Sequence, residues 1–203
     1  MTEIIEYIKQ KYNPISIILY GSYSDGTNNL YSDFDALVIS RVKDQVHDTS
    51  LVSGVRLDVF VYPLEHFEHQ YDCNNFIQLV GGKIIMDTEN IGKTLQTVVE
   101  SYFQNIPHKT ESEIKSSIDW CAKMMERSMR NDTEGKYRWH WVLTDSLEIF
   151  CDAVKHGYYG PKKSLEWMKT AYPDAFDCYS QALSDFTSES LQKWINYLKN
   201  INS

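Results

Sequence analysis

The chain has 203 residues, 42% of them hydrophobic and 13% aromatic, which is ample for a packed core and too apolar for a disordered segment. Its 20 basic and 28 acidic residues give a net charge of −8, which argues against a DNA or RNA partner, since nucleic-acid binders draw affinity from clustered Lys and Arg. No run approaches the roughly 18 consecutive apolar residues of a spanning helix, and Met1 to Glu6 is acidic and amphipathic, so a soluble cytoplasmic protein without a membrane partner is expected.

Ile4, Ile5 and Ile8 stand at helical spacing within 2–11, and Tyr12-Asn13-Pro14 stops that helix before an apolar strand, Ile15 to Tyr20. Gly21-Ser22 follows the strand. Glycine suits a place where backbone approaches a phosphate closely, and Ser22 would open a short helix whose free N–H groups and hydroxyl hold β- and γ-phosphates. After a spacer of ten residues, Asp33-Phe34-Asp35 leads into Ala36-Leu37-Val38-Ile39, a run apolar enough for a sheet covered on both faces. Asp58 lies in another strand-like run, Arg56 to Val61, and His47 falls between the two in what reads as a polar loop.

Acids at i and i+2 of a strand point to the same side. Holding such like charges together is unfavourable unless a cation neutralises them, and hard oxygen ligands suit Mg²⁺ or Mn²⁺. With two ions, one would bridge nucleotide phosphates while the other activates an attacking hydroxyl against the α-phosphorus. Asp33, Asp35 and Asp58 are the expected metal-binding and catalytic acids, and Gly21 and Ser22 the expected nucleotide cradle.

These residues resemble the nucleotidyltransferases of the DNA polymerase beta superfamily, whose signature is an apolar strand, Gly-Ser, a spacer and Asp-x-Asp. The stretch from Tyr20 to Asp35 looks most like the antibiotic-modifying members of the kanamycin and lincosamide type, and the likeness is sharp over residues 15 to 61. It implies a mixed sheet with helices on one side and two Mg²⁺ or Mn²⁺ ions on Asp33, Asp35 and Asp58. The implied reaction transfers a nucleoside monophosphate from an NTP to a hydroxyl, with pyrophosphate released. Asp25 stands where many members carry a basic residue. The resemblance leaves three acceptor readings open: a small molecule such as an aminoglycoside-like antibiotic, a partner protein as in antitoxin-like members, or none, in a silent nucleotide- or partner-binding module. It also implies a possible homodimer, since similar enzymes place the active site between two subunits.

Beyond the third strand, 63–70 and 75–80 read as short helical pieces, Lys83 to Met86 as a strand, and Thr88 to Tyr102 as a closing helix. Around Gln104 to Pro107 strand signals cease. The expected organisation is α+β, a nucleotidyltransferase domain over 1–106 and a helical substrate or interaction domain over 107–203. Its helices are predicted at 112–130, 135–156, 161–171, 173–184 and 188–201. The first part carries 7 basic and 14 acidic residues and the second 13 and 14, so the motif lies in the acidic part, where a cationic acceptor would be attracted.

On the long helix from Lys136, Trp141, Asp145, Glu148 and Asp152 follow one stripe. Glu148 or Asp145 is the candidate base for an acceptor hydroxyl and would orient a substrate amine, with Trp139 or Trp141 stacking against a ring. Lys162 and Lys163, just after Gly160-Pro161 at a helix start, form a candidate anion site for the triphosphate. Cys73, Cys121, Cys151 and Cys178 have no paired-ligand spacing and read as reduced packing residues.

Overall fold

A computed structural model describes residues 1–130 and 132–201, and the chain divides into two compact units, Met1–Ile106 and Pro107–Ser203. The first is built on a six-stranded mixed sheet. Helix α1 (Thr2–Tyr12) buries Ile4, Ile5, Ile8 and Tyr12 and ends at Asn13, whose left-handed φ of 44° lets its N–H reach Lys9 O before Pro14 forbids another turn. Strands β1 (Ser16–Leu19), β2 (Phe34–Ser40), β3 (Val46–Asp48), β4 (Leu51–Val52), β5 (Val55–Pro63) and β6 (Lys83–Asp87) follow, with a one-turn helix α2 (Ser22–Asp25) after β1. The order is β3-β5-β2-β1-β6, with β4 paired to β5; β2 and β5 run parallel and the other pairs antiparallel.

Side-chain alternation divides β2 between two apolar layers. Phe34, Ala36 and Val38 pack with α1 and with Leu57, Val59 and Val61 of β5, while Leu37 and Ile39 pack against Phe76, Leu79, Leu95 and Val99. The latter come from a 3₁₀ segment (Cys73–Leu79) and from helix α3 (Ile91–Gln104). The sheet is therefore covered on both faces, as the apolar run of β2 implied, and not on one side only. Each such Val, Leu, Ile or Phe side chain, taken fully from water, contributes about 1.5–3 kcal/mol.

One buried acid belongs to this core. Asp48 on β3 is 4% exposed and accepts from Tyr12 Oη (2.7 Å), Lys11 Nζ (3.0 Å) and Ser50 N (3.0 Å), tying α1 to the sheet. Burial opposes its charge, but the bonds from Ser50, Tyr12 and Lys11 outweigh that cost and hold its carboxyl well below the usual range.

The second unit is helical: α4 (Glu111–Ser128), α5 (Thr133–Ala153), α6 (Pro161–Ala171), α7 (Pro173–Asp185) and α8 (Ser188–Asn200). Thr110 opens α4 with a capping box in which Glu113 N donates to Thr110 Oγ1 and Thr110 N donates to Glu113 Oε2. Asp132 caps α5 by accepting from Gly135 N at 2.7 Å. The core is centred on Phe150 and Trp194, both 0% exposed, and the Trp194 indole donates to Ser146 Oγ at 2.9 Å. Cys121 and Cys151 are buried thiols, pushed up to about 12 and about 11 by desolvation, and all four cysteines are free. Among the described residues no helix is long and apolar enough to cross a membrane.

Candidate active site

Gly21 follows β1 with φ 64° and ψ −156°, a backbone region open essentially to glycine alone. A Cβ there would sit 2.3 Å from Asp35 Oδ2, so the main chain at the turn is pressed against that carboxylate. Ser24 N donates back to Gly21 O at 3.0 Å, closing the single turn of α2, and Gly26 ends it with φ 77°. Asp25 accepts from Thr27 N at 3.0 Å, an Asx turn, so the acid in the place of a basic residue shapes the loop.

The parallel β2–β5 register sets Asp35 directly beside Asp58 and Phe34 beside Leu57. Alternation then puts both carboxylates on the face opposite the α1 layer, where they are partly exposed. Tyr20, whose N–H donates to Asp35 O at 3.1 Å, lies within reach of their field. Burial raises its phenol well above the ordinary value, and the charges of Asp58 and Asp35 raise it further.

His47 completes this face. It lies on edge strand β3, not in a loop as its polar neighbours suggested, and pairs across the ladder with Phe60. Its ring stacks on Phe60 (centroids 4.2 Å, 4°) and its Nε2 is 2.6 Å from Asp58 Oδ1. A signal for this hairpin was present in Ser53-Gly54, a two-residue turn with φ 51° and 80° between Val52 and Val55.

Asp33 precedes the first residue of β2 and is exposed. It lines a cavity of about 700 Å³ together with Tyr23, Leu30, Tyr31, Leu51 and Arg56. Among the described residues no three His, Cys, Asp or Glu side chains converge closely enough to hold a metal ion. The structure thus unites Asp35 with Asp58 and leaves Asp33 outside any ready-made cage. The donor chemistry nevertheless fits Mg²⁺ or Mn²⁺ arriving with a nucleotide, because such ions bind through one or two carboxylates plus substrate phosphates.

In the helical unit, Glu148 is exposed on α5 and lines a cavity of about 480 Å³ with Lys109, Trp120, Trp141 and Asp145. Trp141 is 40% exposed and packs edge-on to Trp120 (5.2 Å, 73°), whereas Trp139, the other candidate stacking ring, is buried in the core. Asp152 forms an ion pair with Lys109 at 2.6 Å, and Lys109 lines the same groove. Lys162 and Lys163 occupy the exposed first turn of α6, after Gly160 with φ 82° and Pro161 at the first helical position.

An α+β fold with a mixed sheet, a glycine turn gripping an acid, and a second acid beside it in the parallel ladder defines a nucleotide-handling domain of the polymerase beta kind. Residues 1–114 match the model of the nucleotidyltransferase domain family, and the chain belongs to that family. It is a nucleotidyltransferase. Among solved structures it is similar to a toxin-antitoxin crystallised with AMP-PNP, with 24% identity over 58% of this chain and 94% of that one, TM-score 0.38. It is also similar to a nucleotidyltransferase-like protein from Exiguobacterium sibiricum, with 15% identity over 99% of this chain and 72% of that one, TM-score 0.43. No curated protein sequence matches the chain.

Proposed function

We propose that the chain transfers a nucleoside monophosphate, AMP in the first instance, from an NTP to a hydroxyl of a small cationic molecule such as an aminoglycoside-like antibiotic. The observation that carries this reading is the contact of the Gly21 backbone with Asp35 beside Asp58. Gly21 and the start of α2 at Ser22 approach the phosphates. Asp35 and Asp58, joined by Asp33 from the loop, hold Mg²⁺ or Mn²⁺, which when bound offsets phosphate charge and lowers the pKa of the attacking hydroxyl. The acceptor oxygen forms a bond to the α-phosphorus, the bond to the bridging oxygen breaks, and pyrophosphate leaves. A carboxylate takes the acceptor's proton, Glu148 being the candidate base. Lys162 and Lys163 are candidate triphosphate contacts, and Arg56 supplies a cation in the cavity that Asp33 lines.

Within the helical unit, the exposed Trp141 face adjoins Asp145 and Glu148 in one groove, a chemistry suited to a molecule with a ring and an amine. A protein acceptor, or a binding role without transfer, is favoured by a different observation. Leu30 and Tyr31 are 98% and 94% exposed at the rim of the cavity that Asp33 lines, a form suited to a macromolecular contact. Incubation with labelled NTPs and a panel of aminoglycosides, lincosamides and proteins, followed by mass spectrometry, separates these readings. A nucleotidyl adduct on a small molecule is the expected result. Wild-type Mn²⁺-ATP binding by Asp33→Asn would remove Asp33 from the metal set, and the same result for Asp35→Asn would end the reading altogether.

A further inference from the structure

The cavity of about 700 Å³ beside Asp33 has two pinned walls. In one, Asn29 Oδ1 accepts from Tyr31 N at 2.8 Å and Asn29 N donates to Ser32 Oγ at 2.9 Å, which fixes the loop before β2. In the other, the Ser53 hydroxyl at the tip of the β4–β5 hairpin donates to the Glu3 carboxylate and ties the hairpin to α1. Most of the lining is neutral, and among the described residues its ionised groups are Asp33 and Arg56.

Arg56 belongs to the same face as the acids. It stands two residues before Asp58 on β5, so alternation turns both side chains to one side of the strand, about 7 Å apart. The β2–β5 register pairs Phe34 with Leu57 and Asp35 with Asp58, and carrying it back by one residue sets Asp33 opposite Arg56. Among the described residues the exposed Arg56 guanidinium nevertheless makes no ion pair, whereas Arg41, Arg130 and Arg138 each hold a carboxylate. Other cations of the first unit are engaged or turned away. Lys9 and Lys11 pair with Glu6 and Asp48. Lys83 stands across the ladder from Leu19, whose side chain lies in the α1 layer. The turn helix α2 carries Asp25 and no basic residue.

We infer that Arg56 is the cation that grips the α-phosphoryl group of the nucleotide, its planar fork on the non-bridging oxygens, and that it supplies the positive charge the Gly21-Ser22 turn lacks. This rests on the nucleotidyl-transfer reading above and names a residue for it. The sheet order separates the two ends of the triphosphate. Gly21 and Ser22 follow β1 on one side of the acids, where the leaving pyrophosphate belongs, and Arg56 lies on β5 on the other side. A fixed guanidinium there meets the negative charge that develops on the α-phosphoryl oxygens as the acceptor attacks.

Calorimetric titration of the full chain with Mn²⁺-ATP, Mn²⁺-AMP and adenosine tests this in the wild type, Arg56→Gln, Arg56→Lys, Arg41→Gln and Asp35→Asn. Arg56→Gln should weaken ATP and AMP alike, by about tenfold to a hundredfold, and leave adenosine unchanged. Arg56→Lys should recover only part of the loss, because an ammonium cannot make the paired contact. Arg41→Gln removes the same charge just past the far end of β2, about 20 Å from Asp35, and should bind all three as the wild type does. The inference is overturned if Arg56→Gln binds AMP as the wild type does, if adenosine weakens equally, if ATP alone weakens, or if Arg41→Gln costs as much. Loss of binding in Asp35→Asn with intact binding in Arg56→Gln overturns the role of Arg56 alone. Wild-type binding by Asp35→Asn overturns the nucleotidyl-transfer reading and this inference together. Thermal melts establish that each variant is folded, and Arg56→Lys carries the test should Arg56→Gln unfold, undiminished AMP binding in it being the overturning result.

Discussion

His47 Nε2 lies 2.6 Å from Asp58 Oδ1, while Asp58 stands beside Asp35 in the parallel ladder. With its ring fixed flat on Phe60, the imidazole engages the Oδ1 oxygen of Asp58. Partners of this kind around a reacting carboxylate typically matter by tenfold to a hundredfold. Replacing His47 by Ala should lower kcat/KM for nucleotidyl transfer by about that factor. The pair is exposed, with side chains 46% and 40% accessible, so it contributes only about 0–1 kcal/mol and the melting temperature should barely move. Steady-state kinetics beside a thermal melt reads both; a large fall in stability with intact kinetics would make His47 a purely structural residue.

Gly21→Ala places a methyl group 2.3 Å from Asp35 Oδ2 on a backbone with φ 64°. The strain should cost about 1–3 kcal/mol and displace the carboxylate. Urea unfolding together with Mn²⁺-ATP binding tests this, since both should fall. Gly26→Ala, at a similar φ of 77° but with open space around its Cβ, should lose only the backbone share of that stability.

Asp48 makes the first unit acid-sensitive. Its folded carboxyl is held below the unfolded value, so its contribution is fully present above the ordinary carboxylate range and is lost as pH falls through that range toward the folded value. Urea midpoints should therefore drop between neutral pH and about pH 3. Asp48→Asn should be less stable by about 1–3 kcal/mol at neutral pH and show a flatter acid limb. An unchanged pH slope in that variant would assign the acid sensitivity elsewhere.

Ser146→Ala leaves the Trp194 indole buried and unpaired in the helical core. A loss of about 1–3 kcal/mol is expected, read as a lower melting temperature of the helical unit. Ser146→Thr, which keeps the hydroxyl, separates the hydrogen bond from the packing.

Much of this was legible in the order of residues. Ile15 to Leu19 and Ala36 to Ile39 are apolar over lengths that only strands fit, and Gly160-Pro161 announces the start of α6 to the residue. Asp33 and Asp35 were visible as acids at the mouth of an apolar run, and Asp58 as an acid inside one. What the chain order does not carry is register: the pairing of Asp35 with Asp58 is set by contacts between distant segments. His47 escaped notice because a three-residue edge strand of mostly polar residues offers no hydrophobic period, and Ser53-Gly54 was its one local cue. Trp139 and Trp141 were alike as candidates for stacking. A rotation of about 200° along the helix puts them on different faces, and packing of the neighbouring helices decides which is covered.

The β2–β5 pairing also bears on when activity appears during folding. These parallel strands meet only after the chain has travelled through the whole β3–β4 excursion between them, so the loop must close before the carboxylates can become neighbours. The nascent chain therefore has no preassembled Asp35–Asp58 pair, and that pair should form late, together with completion of the sheet.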